Sequence, residues 1–85
     1  MFVTIRNAFQ KKGAMVSDIS STGMGVEMHD TMGMRQGDFV EVHAKDLGYI
    51  NGVVRWVRGR RVGIEFENTS NNSAKIAAFF RYFYR

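Results

Sequence analysis

Apolar and polar positions alternate along most of the first two thirds of this chain. Val3 and Ile5 fall on one side of the Phe2 to Arg6 stretch, and Thr4 and Arg6 on the other, the period-2 signature of a strand. Asn7 to Gly13 is polar, holds Lys11 and Lys12, and reads as a loop. Ala14 to Ser17 is the predicted second strand and Gly25 to Met28 the third, with Val26 and Met28 on one face. His29 to Gly37 has no clear period and reads as a loop packed by Met32 and Met34. In Phe39 to Ala44, Val40, Val42 and Ala44 share a face. Ile50 to Val57 is the longest predicted strand, with Ile50, Val54 and Trp56 inward and Val53 and Val57 outward. Gly59 and Arg60 make a hairpin turn, after which Val62, Ile64 and Phe66 return inward. Six short strands predict a closed or nearly closed antiparallel barrel, which removes the edges that a short chain could not otherwise protect.

The pattern changes at Asn68. Thr69 to Ser73 is a cluster of helix N-cap residues, and Ile76, Phe79, Phe80 and Phe83 then recur at helical spacing. Arg81 and Arg85 lie opposite that arc, with Tyr82 and Tyr84 on its two shoulders. The reading is an all-β domain over residues 1–85: a small six-stranded antiparallel barrel over 2–66 and a C-terminal amphipathic α-helix over about 73–84.

Composition narrows the function classes. Eighty-five residues allow one small core. There is no cysteine, so neither a disulfide nor a thiolate metal site is available. No run is apolar enough to span a bilayer and the N-terminus lacks a secretory h-region, which makes a cytoplasmic protein without membrane insertion the default. The formal charge of +4 favours an anionic partner. His29 and His43 lie on different segments without a spaced carboxylate or second histidine. Neither an enzyme, a metal site nor a cofactor is therefore expected.

The chemistry concentrates in Asp18-Ile19-Ser20-Ser21-Thr22-Gly23, a polar turn between apolar runs. Asp18 can accept from a ligand edge or from backbone N–H groups, Ser20 both donates and accepts, and Gly23 permits positive φ or a close approach. The same residues can equally do no more than cap their own backbone. Further on come Gly37-Asp38-x-Val40, Val54-Arg55-Trp56 and Gly63-Ile64-Glu65-Phe66. An Asp-x-Ser-x-x-Gly turn followed by these strands in this order resembles the PilZ family, small bacterial β-barrel domains many of which bind cyclic di-GMP. The resemblance covers about residues 3 to 66. It implies that Asp18 and Ser20 hold a guanine edge and that Gly23 admits it. The family's motif has a second half, Arg-x-x-x-Arg just before the first strand. Here the sole arginine ahead of Asp18 is Arg6, and the residue four on is Gln10. An arginine pair ahead of Met1 in a longer parent chain would complete the motif. Within this sequence Arg6 is the candidate for a phosphate or base, imperfectly seconded by Lys11 and Lys12, since lysine lacks the guanidinium fork.

The expected role is a signalling or adaptor module in cyclic di-GMP pathways, with direct nucleotide binding weak or lost. One alternative is a protein-binding domain of the same fold that ignores nucleotide. Another is a small basic barrel for single-stranded nucleic acid. That reading needs aromatics interleaved with basic strand faces, and here the aromatics concentrate on the helix. Arg55, Arg58, Arg60 and Arg61 are either a solvated hairpin tip or an anion-facing patch. Trp56 is either core or a stacking platform. The helix either caps the barrel or mediates association, with self or with a larger signalling protein. For association, Phe79, Tyr82 and Tyr84 are the candidate contacts.

Overall fold

In a computed structural model, which describes residues 1–31 and 33–83, the chain forms six strands and one helix. These are β1 (Phe2–Arg6), β2 (Lys11–Ile19), β3 (Gly23–Glu27), β4 (Phe39–Ala44), β5 (Gly48–Arg58), β6 (Arg61–Phe66) and α1 (Ser70–Phe83). The strands close into an antiparallel barrel in the order β1-β2-β3-β6-β5-β4. The barrel and helix agree with the sequence reading.

Alternation explains the core. Val3, Ile5, Val26, Val42, Ile50, Val54 and Val62 are all buried and fill the barrel interior. Met24, Met28 and Met34 pack with them, Met34 from the loop after β3. Met32, expected to pack that loop as well, lies outside the described residues. The helix starts at Ser70, earlier than expected, because Thr69 acts as its cap: the Thr69 Oγ1 accepts from the Asn72 N–H at 3.1 Å. Asn72 is itself buried, and its Nδ2 donates to Asn51 O at 2.9 Å and Glu67 O at 3.0 Å. That amide anchors the helix to β5, and Ile76 and Phe79 bury beside it.

Two departures from simple alternation shape the outer surface. Lys11 to Gly13 is strand rather than loop: Lys11, Lys12 and Gly13 pair with Arg6, Ile5 and Thr4. The hairpin turn is only Asn7 to Gln10, held by the Asn7 carboxamide oxygen accepting from the N–H groups of Phe9 and Gln10. The second departure is Trp56. A register shift between Val54 and Trp56 inserts an extra residue into β5, so Trp56 faces Gly63 and Val57 faces Val62. The bulge reverses the parity of the strand. Trp56 is therefore on the outer surface and Val57 packs on the core, the reverse of the expected assignment.

Candidate functional site

A second bulge sits on the neighbouring pair of strands. Between Val16 and Asp18 the β2–β3 register shifts, so that Asp18 faces Gly25 and Ile19 faces Met24. Val16 and Ile19 pack on the core, while Ser17 and Asp18 are both exposed. Asp18 thus belongs to the end of a strand, and the turn proper is Ser20 to Thr22.

The two bulges address one spot. Gly25 and Gly63 are cross-strand partners, so Asp18, Gly25, Gly63 and Trp56 form one row across β2, β3, β6 and β5. The two glycines are the floor. A Cβ on Gly25 would stand 2.3 Å from Asp18 Oδ1, and one on Gly63 would stand 2.1 Å from Trp56 Nε1. No side chain other than hydrogen lets the carboxylate and the indole lean in from either side. Around this row lies an open cavity of about 290 Å³, lined also by Ser20, Thr22, Gly23, Arg55 and Glu65.

Much of the polar chemistry at this site is already engaged. Asp18 Oδ1 accepts from the Gly25 N–H at 2.9 Å. Ser20 Oγ accepts from the Thr22 N–H at 3.3 Å and lies 3.4 Å from Gly23 O, within reach to donate to it. Arg55 forks onto Glu65, its Nε donating at 3.0 Å while a terminal nitrogen of the same guanidinium meets the same oxygen. Arg58 lies over the Trp56 ring, 5.3 Å from its centroid, a cation–π arrangement. Arg61 reaches Ser17 Oγ at 3.5 Å. Of the hairpin arginines Arg55 lines this cavity, whereas Arg60 lines a separate one with Phe2 and Met28.

Gly23 lines the cavity for a reason other than positive φ. Four glycines have positive φ, at positions 33, 37, 48 and 59, and Gly23 is not among them. Instead a Cβ there would stand 2.4 Å from the Ile64 carbonyl oxygen on β6. Gly23 permits β3 to close on β6.

Arg6 is not brought to this site. It pairs with Lys11 on β2 and Glu41 on β4, and its guanidinium binds Glu41 at 2.7 Å. Lys11 precedes Asp18 by seven residues along β2, about 20 Å at a strand's rise per residue. Lys11 and Lys12 sit at that same far end, Lys12 within 3.9 Å of Asp30. Asp18, Ser20 and Gly23 come together; Arg6 lies at the opposite end of the hairpin, because antiparallel pairing carries the second strand back past the start of the first. Of the helix residues expected at an interface, Phe79 is 5% exposed and belongs to the core, and Tyr82 is 65% exposed. Tyr84 and the side chain of Phe83 lie outside the described residues. Among the described residues no group of three or more histidines and carboxylates could hold a metal ion, and no helix is long and apolar enough to cross a membrane.

No curated protein matches the chain. Among solved structures, the crystal structure of the Borreliella burgdorferi PlzA protein in complex with c-di-GMP is similar, with a TM-score of 0.66 and 15% sequence identity. The match covers 93% of this chain and 32% of that one, so this chain spans about a third of PlzA's length, and at that identity the likeness is one of fold. The family model described as the PilZ domain matches residues 1–84, and the chain belongs to that family.

Proposed function

We propose that this chain is a PilZ-type signalling or adaptor module in cyclic di-GMP pathways whose own hold on the nucleotide is weak or lost. The carrying observation is the separation of Arg6 from the Asp18 cavity. A guanine presents O6 and N7 as acceptors, which an arginine fork matches, and its donor edge suits a carboxylate. The cavity offers Asp18, Ser20 and the Trp56 ring for the base, but its arginine, Arg55, is held by Glu65. A bound nucleotide would have to compete with that pair. Amide shifts mapped at ~1 mM cyclic di-GMP test this, a concentration that populates even a weak site. The expected shifts fall on Asp18–Gly25 and Arg55–Gly63. Shifts centred on Arg6 and Lys11 would contradict the assignment.

A protein-binding role independent of nucleotide is the second reading. It is favoured by the internal hydrogen bonds that Asp18 Oδ1 and Ser20 Oγ already accept. In either case the module works in the cytoplasm by contacting another protein or a second copy. The helix offers Tyr82 for this, an exposed ring that freezes few torsions on burial. If the helix mediates self-association, wild-type protein sediments as an assembly and Tyr82→Ala as a folded monomer. A wild-type monomer at ~1 mM, where even weak dimers populate, would remove the self-association version.

A further inference from the structure

Strand β2 is paired with β3 along only about half its length. Its partners on β3 run from Met15 to Ile19, opposite Glu27 to Met24. At Glu27 β3 ends and the chain leaves the sheet, so Lys11 to Ala14 has β1 on one side and no strand on the other. Backbone polarity on the open side is set by the ladder. The Val16 N–H donates to Met1 O on the β1 side, and alternation then turns the N–H and C=O groups of Lys11 and Gly13 the opposite way. Among the described residues neither makes a backbone bond there. Lys11, Lys12 and Gly13 are exposed.

The vacated lane is a shaped cavity of about 390 Å³. Ala14 and Met28 line it, Phe2 and Met15 wall its outer side, and His29 and Arg60 stand at its rim. Phe2 and Met15 are cross-strand partners with 63% and 52% of their surfaces exposed, an unusual pair to leave in water. The Phe2 ring lies over Gly13, whose Cβ would stand 2.4 Å from it. Charge at this place is mainly positive. Lys11 and Arg60 have no ion-pair partner among the described residues; Glu27 also lines the lane and stands opposite Arg61 in the β3–β6 ladder without an ion pair to it.

We propose that the Lys11–Ala14 edge of β2 receives an extended acidic segment of a partner protein as an added strand. Its main chain bonds to Lys11 and Gly13. Its apolar side chains enter the lane over Ala14 and Met28. Its carboxylates face Lys11 and Arg60. Main-chain bonding of this kind supplies affinity, and alternate side-chain pockets supply specificity. The proposal extends the adaptor reading and rests on it only for the existence of a protein partner. The edge shares no residue with the Asp18 cavity.

The test uses the full chain and a terminally blocked synthetic peptide of sequence Glu-Val-Glu-Phe-Glu-Val-Glu. Binding is followed by amide shifts and by fluorescence of a labelled peptide. The expected result is saturable binding below ~1 mM, with shifts concentrated on Lys11–Met15 and His29. Methylating alternate peptide nitrogens, which removes the donors needed for the ladder, weakens it at least ~10-fold. Arg60→Glu, on an exposed turn, weakens it at least ~5-fold while leaving any nucleotide-induced shifts at Asp18 in place. No saturation at ~1 mM, or equal binding of both N-methylated registers, overturns the proposal. Loss of the nucleotide response alone bears on the Asp18 site and leaves this edge standing.

Discussion

At the Ile19 end of β2, two bulged strand pairs turn Asp18 and Trp56 outward over a floor of paired glycines. At the Lys11 end, Arg6 lies on a regular ladder against Glu41. The contrast shows how a small barrel makes a site. A regular ladder spaces outward side chains evenly and leaves each to pair with its neighbour. A bulge puts two consecutive residues on the same face, Ser17 with Asp18 in one strand and Arg55 with Trp56 in the other. Glycine opposite each bulge then leaves room for the crowded side chains to lean inward. The end with the bulges brings Asp18 and Trp56 together over a glycine floor; at the other end Arg6 is held in an ion pair on the surface.

The largest effect is expected from closing the bulged end. In Gly23→Val the added Cβ meets the Ile64 carbonyl of β6, a backbone atom that cannot swing aside. We predict a loss of about 3 kcal/mol and a fall in Tm of roughly 15 °C for a domain of this size, read by thermal unfolding. A Gly23→Val protein as stable as the parent would show that β3 and β6 are not in this close contact.

The smallest effect is expected at the other end. Arg6→Ala removes a pair that is exposed on the arginine side, so stability should change by no more than about 0.5 kcal/mol. Any nucleotide-induced amide shifts should persist unchanged. A lost nucleotide response in Arg6→Ala would place Arg6 at the ligand and dissolve the distinction between the two ends.

Much of the barrel was legible because its strands carry one apolar residue in every two, and Val3, Ile5, Val42, Ile50, Val54 and Val62 all bury as that period requires. The helix was legible in the same way from Ile76 and Phe79. The parity of Asp18 and Trp56 was not, because a bulge is one extra residue and leaves no mark in a period-2 pattern except a pair of adjacent polar or bulky positions. Ser17-Asp18 and Arg55-Trp56 are such pairs, and Gly25 and Gly63 opposite them were the remaining clue. The distance of Arg6 from Asp18 was hidden for another reason. Arg6 lies near Asp18 in sequence, but the hairpin at Asn7 to Gln10 sends the chain back along β1 before Asp18 is reached. Lys11 to Gly13 hid as a loop because the strand there has lysines where a buried strand would have apolar residues, and the open lane beside them leaves those lysines in water.

Calorimetric titration of the chain with cyclic di-GMP, with cyclic di-AMP as the control, tests the separation of the two ends most directly. Two charge-assisted contacts at about 1.5–3 kcal/mol each are absent from the Asp18 cavity. The predicted result is no heat, or a Kd weaker than about 10 µM, which corresponds to about −7 kcal/mol at most. A submicromolar Kd for cyclic di-GMP would contradict it.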